Sequence, residues 1–292
     1  CLCPFHSNRH TPSFSVSRST GKFICFNPSC GEAGTLLDLI KRVMHKNDFE
    51  SLRFIGKMEA DLLNNFDDEL KDILEEKPDF VEFPQETLDE LHANLVEHDI
   101  NASQAYLINI RGINKESMEH FGLGYSVKNA MVITPIHSPD GMPVGLVGRS
   151  TEGKYFKNST NLPRSKTLFN IHRAKRVGDH VIIVESNFDA IRIHQAGFPN
   201  VVATLGGSLS PEQAALLNRY FNHITIMTDS DKAGRDLGYS IANKLRNKDI
   251  LWASYEYGKI YPHDAKDAGD MTDSEIATCI KNAVSDLDYR SW

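Results

Sequence analysis

Two short apolar, β-branched runs stand out along the chain. Val181-Ile182-Ile183-Val184 ends in Glu185, and Ile224-Thr225-Ile226-Met227 leads through Thr228 into Asp229-Ser230-Asp231. Apolar runs of this length bounded by polar residues predict buried strands. Between them, Asp189–Ile193 and Pro211–Leu217 follow a helical pattern. Strands alternating with helices predict a parallel α/β sheet with its ligands at the carboxyl ends of the strands. Glu185, Asp229 and Asp231 fall at such ends. Upstream, Met131–Ile136, a turn at Asp140-Gly141 and Val144–Arg149 predict a hairpin. Near the start, Ser13–Val16 and Lys22–Ile24 are strand-like. Thr35 to Met44 reads as a helix, with Thr35 as its N-cap and Asp38 three residues on. Residues 47–100 carry Leu62, Leu63, Phe66, Leu70, Ile73 and Leu74 at irregular helical spacing, broken over Lys77–Pro84, and read as a helical linker. The tail from Thr272 is amphipathic and helical, with Cys279 as a packed thiol.

The 292 residues can hold two or three small domains. Five parts are expected: 1–46, the linker 47–100, a basic subdomain 101–178, the parallel-sheet domain 179–265, and a closing acidic motif and helix at 266–292. The net charge of −7 argues against a nucleic-acid partner until its distribution is read. Residues 1–46 carry net +4, residues 47–100 net −13 and residues 101–292 net +2. One acidic segment supplies the deficit, so charge neither establishes nor excludes such a partner. No run of 18 apolar residues is present, which excludes a long apolar membrane span. The chain opens at Cys1, and a preceding segment is expected.

Four of the five cysteines fall in the first thirty residues. An odd count so clustered points to metal and a reducing compartment rather than a disulfide framework. Cys3-x2-His6 and Cys25-x4-Cys30 form a Cys₃His set for one structural zinc, on knuckles separated by strands. So small a segment cannot bury enough to fold alone, and metal would supply the stability. Cys1 is a competing thiol and His10 a surface histidine. The acids follow a different logic. Side chains two apart on an extended chain share a face, so Asp229 and Asp231 can converge on one cation. Hard oxygen donors suit Mg²⁺, which binds one or two carboxylates plus substrate phosphates. Metal-assisted phosphoryl transfer is the reaction class that follows. The same acids could instead cap the helices that follow them. Gly148–Tyr155 nearly spells a phosphate-binding loop, but Tyr155 replaces the metal-binding Ser/Thr and no strand-to-helix context surrounds it.

Glu185-x-x-x-Asp189 and Asp229-x-Asp231-x-Ala233-Gly234 on adjacent strands resemble the TOPRIM domain of topoisomerases, DnaG-type primases, recombination proteins and certain nucleases. Cys3-Pro4-Phe5-His6, Thr11–Val16, Cys25-Phe26, Cys30-Gly31 and Gly34 before an apolar helix resemble the zinc-binding domain of DnaG-type and phage primases. Arg111-Gly112-Ile113, Phe121–Tyr125, Lys154–Ser159, Lys166–Phe169, Ala203–Ser210 and Lys266–Asp270 continue in the order of that family. The resemblance covers roughly 1–46 and 105–275. Two departures stand out: four residues rather than two separate the last cysteines, and Ser186 replaces a glycine, which a negative φ accommodates.

The resemblance implies an N-terminal zinc ribbon, a helical linker and an α+β primase core with a TOPRIM domain. The implied activity is synthesis of short RNA primers on single-stranded DNA from nucleoside triphosphates during replication, by metal-dependent nucleotidyl transfer. Asp229 and Asp231 would hold Mg²⁺ or Mn²⁺, with Asp267 assisting and Asp270 a weaker candidate. Glu185 would either assist the metal or take the proton, and Asp189 would orient that shell. Arg149, Lys154, Asn158 and Lys166 would contact template or nucleotide phosphate, while Lys157 and Arg164 read as ordinary surface basics. A separate replicative helicase is the expected partner, since no fused helicase follows. A cytoplasmic setting in a bacterial or phage-infected cell, without membrane association, is expected. A TOPRIM nuclease, a non-catalytic recombination module and a topoisomerase fragment are the alternatives.

Overall fold

The computed structural model describes residues 2–7, 12–17, 20–52, 54–55 and 80–291. The chain divides into two compact units, Cys1–Lys77 and Pro78–Trp292. In the first, Phe14–Val16 (β1), Phe23–Cys25 (β2) and Ala33–Gly34 (β3) form an antiparallel sheet in that order. Helix Leu36–Val43 (α1) follows. Thr35 caps it as expected, its hydroxyl accepting from the Asp38 N–H while the Asp38 carboxylate accepts from the Thr35 N–H. The core here is small. Cys3, Phe14, Phe23 and Cys25 are buried, with Phe5, Cys30 and Leu39 packed against them. Cys1, His10 and the apolar positions Leu62 to Leu74 of the expected linker lie outside the described residues.

The second unit opens with helices Gln85–Val96 (α2), Ser103–Arg111 (α3) and Lys115–His120 (α4). The boundary drawn at residue 100 from composition is not where packing draws it. Leu88 and Leu95 of α2 are buried, His92 Nδ1 meets the Leu123 carbonyl at 2.7 Å, and Gln104 Nε2 donates to the Leu95 carbonyl at 2.9 Å. A Cβ on Gly124 would stand 2.8 Å from the Leu91 backbone, so helix and strand approach at a distance only glycine permits. The acidic stretch therefore ends inside the second unit, because its last apolar residues find a sheet to cover.

That sheet has four antiparallel strands: Gly124–Ser126 (β4), Met131–His137 (β5), Pro143–Ser150 (β6) and Phe156–Asn158 (β7). The β5–β6 pair is the expected hairpin, with Gly141 at φ +95° in its turn. Gly148–Tyr155 runs from β6 into a turn towards β7, not into a helix, which removes the phosphate-loop reading.

The parallel sheet is built from His180–Val184 (β8), Val201–Ala203 (β9), His223–Ile226 (β10) and Asp249–Trp252 (β11), with Val284–Ser285 (β12) added antiparallel. Its order is β12-β11-β10-β8-β9. Helices Asn187–Gln195 (α5), Pro211–Tyr220 (α6), Lys232–Lys244 (α7) and Asp273–Lys281 (α8) cover it. Along β8 the pleat sends Ile182 and Val184 into one apolar layer and Val181 and Ile183 into the other. A strand covered on both faces must be apolar throughout, which is the pattern read at Val181–Val184. Cys279 is fully buried, as its apolar surroundings required.

Candidate functional site

In the first unit Cys3, His6, Cys25 and Cys30 bring their donor atoms within 4.8 Å of one another. Cys3 and Cys30 Sγ lie 3.9 Å apart, and Cys25 Sγ lies 3.9 Å from His6 Nδ1. A tetrahedron with zinc–sulfur bonds of about 2.3 Å has edges of about 3.8 Å, so the set fits zinc. The four-residue spacing before Cys30 is absorbed in a turn. The Cys30 and Gly31 N–H groups both donate to the Asn27 carbonyl at 2.9 Å, and Gly31 takes φ +61°. His6 Nε2 lies 3.1 Å from Asn27 Nδ2, an outer contact that orients the ring.

In the second unit Glu185 follows β8, and Asp229 and Asp231 follow β10. β8 continues to β9 on one side while β10 lies on the other, so the crevice between their carboxyl ends is the point where the winding reverses. Ser186, at φ −105°, caps α5 and donates from Oγ to Asp189 Oδ2 at 2.6 Å. Its replacement of glycine is thus accommodated. Asp231 caps α7, Oδ1 accepting from the Gly234 N–H at 2.9 Å. A Cβ on Gly234 would stand 2.2 Å from the Asp229 carbonyl oxygen, so the glycine lets α7 start against the turn that carries both acids. Capping and cation binding are compatible, because Oδ2 of Asp231 faces the other way. It meets Lys266 Nζ at 3.1 Å, and Asp229 Oδ2 lies 3.8 Å from the same ammonium. Asp267 Oδ1 accepts from the Gly269 N–H at 2.8 Å, and Asp270 Oδ2 from the Lys266 N–H at 2.9 Å.

These acids feel one another. Burial, then Asp267 and Asp229, push Asp189 up to about 8. Burial, then Glu185 and Asp267, push Asp229 up to about 7. Glu185 is raised by burial and by Asp231, and Asp267 by burial and by Asp270. Asp231 alone is held low, by the Gly234 N–H and then by Lys266. Crowded carboxylates that resist ionisation are relieved by a cation, and Lys266 already stands in for one. The donor set is all oxygen, and among the described residues its atoms do not close on one point as the thiolates do. An open oxygen site suits a hard divalent ion that keeps water or phosphate ligands.

Beside Glu185 opens a cavity of about 270 Å³, lined by Val147, Phe156, Asn158, Arg164, Leu205 and Gly206 among others. Of the four expected nucleic-acid contacts, Asn158 reaches this cavity. The Arg149 guanidinium stacks under the Phe156 ring, 4.2 Å from its centroid. Lys154 and Lys166 are exposed and do not line the cavity. Arg164, read as an ordinary surface basic, does line it. In the turn after β9 the positive φ belongs to Leu205, at +61°, and Leu205 and Gly206 line the cavity beside Arg164. Three further residues border the acids. Tyr261 is buried and donates to the Thr228 carbonyl. Arg111 lies over Phe188 and its charge reaches Asp267. Lys266 was legible only as the neighbour of Asp267, since its ion pairs span 35 and 37 residues of sequence.

Comparison with known proteins agrees with this geometry. The CHC2 zinc finger model matches residues 1–67 and the Toprim domain model residues 179–252. A DNA primase of Clostridium acetobutylicum is 31% identical over 99% of this chain and 55% of its own length. A DNA primase of Helicobacter pylori is 29% identical over 97% of this chain and 56% of its own length. The chain thus spans about half the length of these relatives. The zinc-binding and RNA polymerase domains of the Aquifex aeolicus primase share the fold, with TM-score 0.54 and 23% identity over 97% of this chain and 78% of that one. A DnaG primase catalytic domain bound to single-stranded DNA superposes with TM-score 0.55 at 17% identity, covering 68% of this chain and 79% of that one. The chain carries a zinc ribbon followed by a Toprim core, and these modules imply zinc in the first and a divalent cation in the second. Among the described residues no helix is long and apolar enough to cross a membrane.

Proposed function

We propose that this chain, which belongs to the DnaG-type primases, synthesises short RNA primers on single-stranded DNA from nucleoside triphosphates. The observation that carries the reading is the convergence of Glu185, Asp229, Asp231, Asp189 and Asp267 at the ends of β8 and β10, beside a cavity holding Arg164, Asn158 and Phe156. Cys3, His6, Cys25 and Cys30 hold one structural zinc. Asp229 and Asp231 hold Mg²⁺ or Mn²⁺, with Asp267 behind them. When bound, that cation neutralises the triphosphate and the charge that develops on it.

The chain's own groups do the rest. Glu185 is half-buried with its carboxyl raised by burial, so it can take the proton of the attacking primer 3′-hydroxyl. That oxygen then bonds the α-phosphorus, and pyrophosphate leaves. Asp189 is fully enclosed and held by Ser186, so it positions Asp267 and Asp229 rather than meeting substrate. Arg164 and Asn158 face the nucleotide, and Phe156, half exposed and backed by Arg149, offers a face on which a base can stack. Lys154 and Lys166 lie outside the cavity, where they suit the template backbone. A separate replicative helicase would present the template.

The test is incorporation of labelled nucleoside triphosphates on single-stranded DNA with Mg²⁺. Short RNA products are expected, falling about 10²–10³-fold in Asp229→Asn, the usual cost of one electrostatic element at a reacting centre. Metal-dependent loss of the DNA without added nucleotides would make the site a nuclease instead.

A further inference from the structure

Lys266 is pinned at its backbone and poised at its tip. Its carbonyl accepts from the Ser230 N–H at 2.8 Å, between the two acids in sequence, and its N–H donates to Asp270 Oδ2 at 2.9 Å. From that anchor the ammonium reaches 3.1 Å from Asp231 Oδ2 and 3.8 Å from Asp229 Oδ2. The other oxygen of Asp231 is committed to the Gly234 N–H at 2.9 Å. Oδ2 is therefore the Asp231 atom open to a cation, and Lys266 has it. The lysine side chain is 54% exposed, so it can swing into solvent while its backbone stays bound.

Resting on the reading of Asp229 and Asp231 as divalent-metal ligands, we propose that Lys266 is a built-in placeholder cation that competes with the metal and sets the concentration at which the site loads. The argument is one of exclusion. A divalent ion held by Oδ2 would repel an ammonium at hydrogen-bond distance from the same atom. Loading would therefore work against Nζ and favour its swing into solvent. Until then, the ammonium holds two mutually repelling carboxylates in register. Lys266 is thus a positioning residue, and metal affinity includes the cost of evicting it.

The experiment measures Mn²⁺ binding directly, from the paramagnetic signal of the free ion, with the zinc-loaded full chain. Lys266→Met is expected to bind Mn²⁺ about fivefold more tightly, the upper end of what a solvent-exposed ion pair contributes. The Mg²⁺ concentration for half-maximal primer synthesis should fall in parallel. Lys266→Arg keeps the charge and should remain near the wild type. Lys232→Met removes an equal charge one residue from Asp231, but that ammonium pairs with Asp236 at 2.6 Å and is 84% exposed, so no shift is expected. Equal tightening in the Lys266→Met and Lys232→Met variants would reduce the effect to net charge and overturn the proposal. Asp229→Asn separates the two readings. If it abolishes the site while Lys266→Met leaves affinity unchanged, the metal reading stands and the placeholder falls. If it binds Mn²⁺ like the wild type, the metal reading fails and takes the placeholder with it.

Discussion

In the ribbon the candidate ligands are themselves the core. Cys3 and Cys25 are 6% and 3% exposed and cluster with Phe14 and Phe23. In the Toprim core Glu185, Asp229 and Asp231 stand at the strand ends beyond two apolar layers, from Ile182 and Ile191 on one side to Leu217 and Ile241 on the other. The thiolates and His6 lie within 4.8 Å of one another and leave a metal nothing to do but hold the chain. The carboxylates crowd, resist ionisation and leave room for a further ligand. One site substitutes metal for missing apolar area. The other stores repulsion that a cation and its substrate relieve.

The largest effect should come from taking the ribbon's metal away. Chelation of zinc is expected to unfold the first unit, since structural zinc contributes an apparent free energy of about 10–16 kcal/mol in comparable small domains. The second unit should keep its melting temperature. Limited proteolysis before and after chelation, read beside a thermal melt, checks this. A ribbon that stays protected, or a core that melts with it, would break the contrast.

A smaller effect is expected where the core positions its acids. Gly234→Ala places a methyl 2.2 Å from the Asp229 carbonyl oxygen, and that neighbour is backbone. Overpacking of this kind costs about 1–3 kcal/mol. Primer synthesis should fall further than stability, because the shift moves the turn that carries both Asp229 and Asp231. Comparing the denaturation midpoint with the rate separates the two. If both fall in proportion, the glycine serves the fold alone.

What was legible in the sequence follows the same division. Local patterns carried the two strands at Val181 and Ile224, the Thr35 cap, the hairpin at Asp140-Gly141 and the Cys₃His set, because each rests on spacing within a few residues. The family resemblance carried Asp189 and Asp267 to the site. The rest depended on contacts far apart in the chain. Arg164 and Lys166 carry the same charge two residues apart, and only the fold shows that the first lines the cavity and the second does not. The end of the acidic segment looked like linker until Gly124 gave Leu91 a strand to lie against. Lys266 finds its role through a hydrogen bond to Ser230, which no periodicity encodes.

The smallest effect is a shape: the pH dependence of the core's stability without divalent metal. Asp189 and Asp229 are raised to about 8 and about 7, so the folded state holds protons that the unfolded chain, near 3.8, has released. Their contribution is therefore full below about pH 4, is lost progressively as pH rises above that, and is gone once pH passes 7 to 8. His137, His172 and His194 are lowered to about 4, about 3 and about 4, first by burial and then by charges that include Arg173. Below their ordinary value of 6.5 the unfolded chain takes up protons that the folded state refuses, so their contribution is lost as pH falls from 6.5 towards 4. Melting temperature should therefore peak between these limbs, with a fall of about 2–4 °C for each kcal/mol lost in a domain of this size. Saturating Mg²⁺ should flatten the alkaline limb, since it stabilises the ionised acids, while the histidines' loss below 6.5 remains. Asp229→Asn should make the alkaline limb shallower without metal, leaving the part that the burial of Asp189 supplies. An alkaline limb that neither change alters would mean that the crowding of Glu185, Asp229 and Asp267 is not what the fold pays to keep this site open.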